Sequence, residues 1–100
     1  MIGIVSGAGT VGVGIGTAAC SAGKGGAAGL LRSVALEVAP TGVTVNSIAL
    51  GLMSNVGGGD LTSKLERTIP TKRLGTPEDV GALCAYLASN EASWMTAQTV

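Results

Sequence analysis

Three glycines near the start of the chain have the spacing of a cofactor-binding motif. Gly7, Gly9 and Gly12 match G-x-G-x-x-G and lie between a short apolar run and a predicted helix, which is the context of a dinucleotide-binding loop. In such folds an acidic residue ends the next strand about 20 residues further on. Here the first acidic residue is Glu37, inside the predicted helix. The sequence therefore favours a tight glycine loop over a dinucleotide fingerprint.

The residues that most often bind metals or act as catalytic bases are scarce. Cys20 and Cys84 are the two cysteines of the chain, and their separation matches no metal-ligand spacing. The chain has no histidine, which excludes a Ser-His-Asp triad and argues against a zinc site. We therefore predict no metal. Two free thiols are typical of a protein from the reducing cytoplasm, which is the compartment we expect.

The composition is that of a small, buried α/β unit. The chain has 100 residues, of which 46% are hydrophobic, 17 are glycine and only 12% are charged, with a net charge of zero. A length of 100 residues allows one domain at most. No basic patch indicates nucleic acid, no run of about 18 apolar residues indicates a membrane span, and the start has no signal-peptide pattern. We predict neither a nucleic-acid nor a membrane partner.

Strands and helices alternate along the chain. Hydrophobic periodicity predicts a strand over 1–5, a loop over 6–16, a helix over 17–39, a strand over 43–48, a mobile glycine loop over 55–60, a helix over 60–69, a helix starting at 76–77 and fading at 89–90, and the start of another strand at 98–100. This order is typical of a parallel sheet with right-handed crossovers and flanking helices. We predict a Rossmann-like α/β fold.

Apolar side chains predict which face each helix buries. The long helix carries a stripe formed by Leu30, Leu31, Val34 and Val38, and it stops at Pro40 and Gly42. Its first half is rich in glycine, which suggests the close approach of another helix or a ligand. The second helix has Leu61, Leu65 and Ile69 on one side. In the third, Thr76 is a predicted N-cap, Pro77 occupies the first position, and Val80, Leu83, Cys84 and Leu87 are predicted to be buried.

Several segments together resemble the short-chain dehydrogenase/reductase family. They are Cys20–Ala27, Leu30–Pro40, Gly42–Gly51, Arg73–Val80, Leu87–Ser89 and Met95–Thr99. They are similar to the family's active-site helix, the strand after it with its Val-Asn-x-Ile and Pro-Gly pattern, and the last helix and strand. The members they resemble are 3-oxoacyl-carrier-protein reductases and related alcohol dehydrogenases. The resemblance implies NAD(P)-dependent hydride transfer between nicotinamide and a small carbonyl or alcohol substrate.

The resemblance also implies catalytic positions. The family uses a Tyr as general acid/base and a Lys four residues later, whose charge favours the phenolate and which binds the nicotinamide ribose. Lys24 matches this lysine, and Cys20 occupies the tyrosine position. A thiol is shorter than a phenol by a whole ring, so Cys20 is either a poor proton donor or only a packing residue. Ser6 matches the serine that polarises the substrate oxygen; if Gly7 is the match instead, Ser6 is only a strand-end cap.

Cofactor contacts are implied after the second strand. Leu50 and Gly51 match the family's Pro-Gly pair, and the backbone at Met53 matches the segment that binds the nicotinamide carboxamide. Asn55 stands where the family has a phosphate-contacting Thr. The resemblance covers the C-terminal half of the family domain. We therefore expect residues 1–100 to be a single partial domain without the half that holds most of the NAD or NADP, and to be inactive alone.

The alternative expectation is a non-catalytic remnant that keeps the capacity to self-associate. In the family, the long helix and the last helix-strand unit form subunit interfaces, which correspond to residues 17–39 and 77–100. A homo-oligomer is expected in either case. Cys20 and the missing cofactor half both favour this alternative for the chain in isolation.

Overall fold

The computed structural model describes residues 1–11, 16–55 and 59–100. It contains two strands, β1 (Ile2–Ser6) and β2 (Asn46–Leu50), and three α-helices, α1 (Ala18–Val38), α2 (Asp60–Thr68) and α3 (Pro77–Leu87). Short 3-10 turns follow β1 (Gly7–Gly9), α1 (Ala39–Thr41) and α3 (Asn90–Ala92). Part of the predicted glycine loop, residues 56–58, lies outside the described residues, and so does Gly12 of the glycine motif.

The strands form a parallel sheet, as the alternation of elements predicts. β1 pairs with β2 in parallel, from Ile2 opposite Asn46 to Ser6 opposite Leu50. The end of the chain adds to the other side of β2, where the Ser47 N–H donates to the Gln98 carbonyl at 2.8 Å and the Val100 N–H donates to the Ser47 carbonyl at 3.0 Å. β2 is therefore the central strand, and the predicted strand start at 98–100 is confirmed.

The bounds predicted for β2 were wrong by several residues. We expected a strand over 43–48, but it runs from Asn46 to Leu50, and Val43 is exposed. The ladder with β1 begins where the Asn46 N–H donates to the Met1 carbonyl at 3.0 Å. The position of the partner strand thus decides where β2 begins, whereas the β-branched run from Val43 only marks the approach to it.

Helices cover both faces of the sheet and produce three layers. On one face α1 lies so close to β1 that a Cβ on Gly3 would overlap the side chain of Leu31. On the other face Ile48 forms a core with Leu87 of α3 and with Ala92. The residues packed against this core are Ile2, Leu50, Leu83, Cys84 and Met95. This is the layered α/β arrangement that the sequence predicts.

The buried face of α1 differs from the predicted stripe. The two residues that α1 buries fully are Ala28 and Ala35, while Leu31, Val34 and Val38 are partly buried. Leu30, which we placed in the stripe, is 65% exposed. Small side chains occupy the contact line because the helix lies close to the sheet, so a pattern of large apolar residues does not identify that face.

The beginning of α3 agrees with its sequence. The Asp79 N–H donates to the Thr76 hydroxyl at 3.4 Å, and the Thr76 N–H donates to the Asp79 carboxylate at 2.9 Å, which completes a capping box with Pro77 in the first turn. Leu87 is buried, whereas Val80, Leu83 and Cys84 are only partly buried.

Helix α2 ends one residue before the predicted boundary. Ile69 is extended, with ψ of 132°, because the following Pro70 disfavours helical backbone. Of its predicted apolar side, Leu65 and Ile69 are partly buried but Leu61 is exposed.

Asn46 joins the three strand segments from inside the core. Its side chain is buried; its amide donates to the Met95 carbonyl at 2.9 Å, and its oxygen accepts from the Gln98 N–H at 3.1 Å. Between these two partners Ala97 adopts a left-handed backbone, with φ of 60°. Asn46 therefore holds the turn that returns the chain to β2.

Candidate active site

The carboxyl ends of the two strands lie side by side. Ser6, the last residue of β1, is opposite Leu50, the last residue of β2, and Gly51 follows immediately. In open parallel sheets, ligands bind outside this edge, where the chain leaves the strands. Ser6, Leu50 and Gly51 therefore lie together at the edge where a site is expected.

Gly25 of α1 allows the close approach of the turn that follows β1. A Cβ on Gly9 would lie 2.7 Å from the Gly25 nitrogen, and a Cβ on Gly25 would lie 3.1 Å from the Gly9 carbonyl oxygen. We expected another helix or a ligand at the glycine-rich half of α1, but the close neighbour is the 3-10 turn Gly7–Gly9 of the same chain. Since α1 begins only at Ala18, this geometry does not support a dinucleotide loop at Gly7 and Gly9.

This close packing brings Lys24 to β1. Its ammonium donates to the Ile4 carbonyl at 3.4 Å. Because the Met1 carbonyl accepts from β2 and residues alternate along a strand, the Ile4 carbonyl points away from β2, to the outer edge of β1. The Lys24 charge therefore lies on the outer edge of the sheet, two residues before Ser6.

Ser6 has a structural partner of its own. Its hydroxyl oxygen accepts from the Ala8 N–H at 3.2 Å, which caps the turn Gly7–Gly9. This is the strand-end cap that we considered as an alternative. The two roles are compatible, because a hydroxyl that accepts one bond keeps its own proton to donate.

Cys20 lies in the first turns of α1, four residues before Lys24. This spacing puts the two side chains on one side of the helix. Cys20 is exposed and is a free cysteine, as is the partly buried Cys84.

The segment after β2 is held by a short bridge. Met53 pairs in parallel with Gly75: the Gly75 N–H donates to the Leu52 carbonyl at 2.9 Å, and the Ser54 N–H donates to the Gly75 carbonyl at 2.8 Å. The N–H and C=O of Met53 point the other way and take no part in this bridge. They form a donor and acceptor pair of the kind that binds a primary amide.

Two clefts meet at Met53. The larger, of about 470 Å³, lies on the α3 face and is lined by Leu50, Met53 and Asn55 together with Ile4 and Cys84. The smaller, of about 350 Å³, includes Gly51, Met53, Arg73 and Asp79 in its lining. The residues that the sequence predicts for cofactor contact after β2 therefore line these two clefts, and Met53 lines both.

An ion pair that we did not predict borders the smaller cleft. Arg73 donates two hydrogen bonds to the Asp79 carboxylate, at 2.6 and 2.8 Å, and a third to the Leu74 carbonyl at 3.0 Å. The Arg73 guanidinium, followed by the Thr76 N–H, holds the pKa of Asp79 well below its usual range, while the Asp79 carboxylate raises the pKa of Arg73. The sequence did contain a signal for this ion pair, because Asp79, the acidic residue of the capping box, follows Arg73 by six residues.

The fold and this edge define part of a Rossmann-like α/β domain. Residues 1–100 match the family model described as enoyl-(acyl carrier protein) reductase. A 3-oxoacyl-(acyl-carrier-protein) reductase of Buchnera aphidicola is 42% identical over 84 residues, which cover 80% of this chain and 34% of that protein. The chain therefore belongs to the short-chain dehydrogenase/reductase family, and it spans about a third of the length of this curated relative.

Two solved structures support the same assignment. A short chain dehydrogenase from Bacillus anthracis aligns with a TM-score of 0.86 and 29% identity, over 99% of this chain and 41% of that chain. A variant of actinorhodin polyketide ketoreductase, solved with NADPH, aligns with a TM-score of 0.90 and 28% identity, over 99% of this chain and 43% of that one. In the described residues, none of the helices has the length and apolar character needed to cross a membrane.

Proposed function

We propose that residues 1–100 supply the substrate side and the nicotinamide side of an NAD(P)-dependent oxidoreductase acting on a carbonyl or alcohol. The observation that carries this proposal is the Lys24 ammonium, 3.4 Å from the Ile4 carbonyl on the strand that ends at Ser6. The relative from Buchnera aphidicola is named for the reduction of a 3-oxoacyl group, so the substrate class that we favour is a 3-oxoacyl thioester. Reduction of an enoyl group, named in the family description, is the competing chemistry.

We assign the nicotinamide end of the cofactor to residues described above. NAD or NADP would supply the hydride when bound. Lys24 would bind the ribose hydroxyls through its ammonium, and the Met53 N–H and C=O, which take no part in the bridge to Gly75, would bind the carboxamide. Leu50 and Gly51 would border the nicotinamide ring, and the space beside Gly51 is open, since a Cβ there would meet no atom within 4 Å. These contacts reach only one end of the dinucleotide. We therefore expect the chain alone to show no measurable binding of NADH or NADPH at sub-millimolar concentrations.

Proton delivery is the weak step of this proposal. The Ser6 hydroxyl would donate a hydrogen bond to the substrate oxygen and so orient it. The general acid would be Cys20, but its side chain is shorter than the family's tyrosine by a phenol ring, so its sulfur would not come within the hydrogen-bond distance that general acid/base catalysis requires. The chain therefore has the binding groups for hydride transfer, with a defective proton donor.

A chimera tests these roles. Residues 1–100 replace the matching part of the Buchnera aphidicola reductase, and NADPH or NADH oxidation is followed with a 3-oxoacyl and an enoyl thioester. We expect low activity with Cys20 and a rise of about 10²–10⁴-fold in Cys20→Tyr, because general acid catalysis typically contributes that much. Adding Lys24→Ala should remove the gain and raise KM for the cofactor, whereas Lys64→Ala, at an exposed lysine of α2, should do neither.

Two results would contradict the proposal. If the Cys20 chimera is already as active as its Cys20→Tyr variant, proton delivery does not pass through this position. If only the enoyl thioester is reduced, the substrate class is wrong and the family description gives the better chemistry.

A non-catalytic, self-associating protein is the second candidate function. Its support is apolar exposure: Leu30 and Leu36 of α1 are 65% and 69% exposed, and Trp94 is 98% exposed. Residues 17–39 and 77–100 would form the contacts of a homo-oligomer. Sedimentation velocity should show a dimer or a larger species that Leu36→Ser or Trp94→Ser weakens. A single monomeric species at all concentrations with a cooperative melt would exclude this function.

We also propose the cytoplasm as its compartment. Both cysteines, Cys20 and Cys84, are free, which suits a reducing environment.

A further inference from the structure

The segment Leu52–Ser54 depends on Gly75 for its orientation. β2 ends at Leu50. In the described part of the chain, the backbone that follows β2 is held by two strand-like hydrogen bonds, which join Leu52 and Ser54 to Gly75. Met53 also lies over Gly75, where a Cβ would come within 2.8 Å of the Met53 sulfur. Whatever holds Gly75 therefore determines where the Met53 peptide group points.

Gly75 is held by residues on both sides of it. Leu74 is buried, and Thr76 is the N-cap of α3. The Asp79 carboxylate accepts from the Thr76 N–H at 2.9 Å, and the Arg73 guanidinium bonds both that carboxylate and the Leu74 carbonyl. The two side chains thus bond the backbone immediately before and immediately after Gly75.

Helix capping explains only part of this arrangement. The bonds between Asp79 and Thr76 cap α3 and would do so without Arg73. Arg73 lies outside the helix, and its bond to the Leu74 carbonyl adds nothing to the cap. This bond instead holds the peptide group that leads into Gly75, and the two bonds to the Asp79 carboxylate fix the guanidinium that makes it.

We propose that Arg73, paired with Asp79, is a positioning residue for the Met53 peptide group. Through Leu74 and Gly75 it fixes Leu52–Ser54, so that the Met53 N–H and C=O face the nicotinamide carboxamide. The cofactor part of this inference rests on the proposed function, whereas the coupling between Arg73 and Leu52–Ser54 does not. Arg73 touches neither substrate nor cofactor in this role.

Hydrogen exchange of single amides in the 100-residue chain tests the coupling. Arg73→Gln leaves Asp79 and its capping box in place. The Ser54 and Gly75 amides, which form the bridge, should exchange about fivefold faster. An exposed ion pair changes the equilibrium constant for local opening by up to about that factor. The Ser47 and Ala49 amides of β2, bonded to the chain end, should be unchanged. Arg73→Lys, which keeps the charge but loses the planar fork, should give an intermediate rate.

Arg67→Gln is the matched control, at an exposed arginine on α2, and should leave all four amides unchanged. Equal acceleration of the bridge and of β2 in Arg73→Gln would mean general destabilisation and would overturn the proposal. Unchanged Ser54 and Gly75 rates would overturn it too.

Millimolar NADPH separates the inference from the proposed function. In the unmodified chain it should shift the Met53 amide resonance, and in Arg73→Gln about fivefold more NADPH should be needed for the same shift. If the bridge amides respond to Arg73→Gln but NADPH leaves Met53 unshifted, the coupling is upheld and the proposed cofactor contact fails. If NADPH shifts Met53 equally in both proteins, Arg73 does not position the cofactor contact.

Discussion

Alanine at different glycines around α1 should change stability in opposite directions. Gly9 faces the helix, and a Cβ there would lie 2.7 Å from the Gly25 nitrogen and 2.9 Å from the Lys24 carbonyl carbon. Both atoms belong to the helix backbone, so neither can rotate away. Gly23 and Gly26 lie in the same helix, and a Cβ at either would meet nothing within 4 Å.

The magnitudes follow from these contacts. Nonbonded carbon and nitrogen atoms prefer about 3.5–4.0 Å, so Gly9→Ala forces the turn away from α1 by nearly an ångström. Overpacking of this kind costs about 1–3 kcal/mol. Gly23→Ala and Gly26→Ala should instead stabilise by up to about 1 kcal/mol each, because glycine is a poor helix former. For a domain of this size, 1 kcal/mol corresponds to about 4–8 °C in Tm. The Tm of Gly9→Ala should therefore lie about 10 °C or more below the Tm of Gly23→Ala and Gly26→Ala.

Thermal and urea unfolding followed by circular dichroism measure this contrast. Gly25→Ala is the intermediate case, since its Cβ would be 3.1 Å from the Gly9 carbonyl oxygen, and it should lose part of the gain expected from helix propensity. Equal stability of Gly9→Ala and Gly26→Ala would refute the close packing of the turn on the helix. The argument that brings Lys24 to β1 would fail with it.

Three further predictions concern the turn before the last strand segment and the cap of α3. Ala97→Gly should raise the free energy of unfolding by about 1 kcal/mol in urea titrations, because its φ of 60° is costly for a residue with a Cβ. Asn46→Ala should lower that free energy by about 2–4 kcal/mol, because it leaves buried backbone partners unsatisfied; a loss below about 1 kcal/mol would contradict this role. The pKa of Asp79 is lowered in the folded state, so its contribution to stability is complete above its ordinary value of 3.8 and is lost as the pH falls through the lowered value. Denaturation at several pH values should show this loss in the parent chain, less of it at high salt, and none of it in Asp79→Asn.

Local signals predicted the helices better than the strands. The start of α3 could be predicted because Thr76, Pro77 and Asp79 are neighbours in sequence and their bonds are formed within one turn. The beginning of β2 could not, because it depends on where Met1 pairs, and no local pattern near Val43 encodes that partner. The parallel arrangement still followed from the order of the elements, since strands separated by a helix are joined by a crossover.

Contacts between distant segments account for the errors on α1. We predicted a buried stripe that included Leu30 because we looked for large apolar residues. In the structure α1 lies so close to the sheet that the small side chains of Ala28 and Ala35 occupy the contact line. In the glycine-rich stretch only Gly25 has a close neighbour from outside α1 among the described residues, and this neighbour is the turn Gly7–Gly9 rather than the helix or ligand that we expected, because it depends on tertiary packing. The Arg73–Asp79 ion pair, in contrast, could have been predicted from the sequence. The two residues are six positions apart, and only a short loop and the N-cap of α3 separate them.

The two candidate functions use different sides of α1. The side of α1 that faces the sheet carries Lys24, whose ammonium lies at the edge of β1, and the buried residues Ala28 and Ala35. Leu30 and Leu36 lie on other sides of the helix and expose apolar surface. The position of Lys24 is set by the contact between Gly9 and Gly25, which involves no atom of Cys20. A substitution at residue 20 should therefore leave the fold, the position of Lys24 and the exposed helix surface unchanged, so that it tests only the proton delivery that we propose for this residue. Cys20→Tyr in the chimera is therefore the substitution that tests the proposed enzyme function against the self-associating alternative.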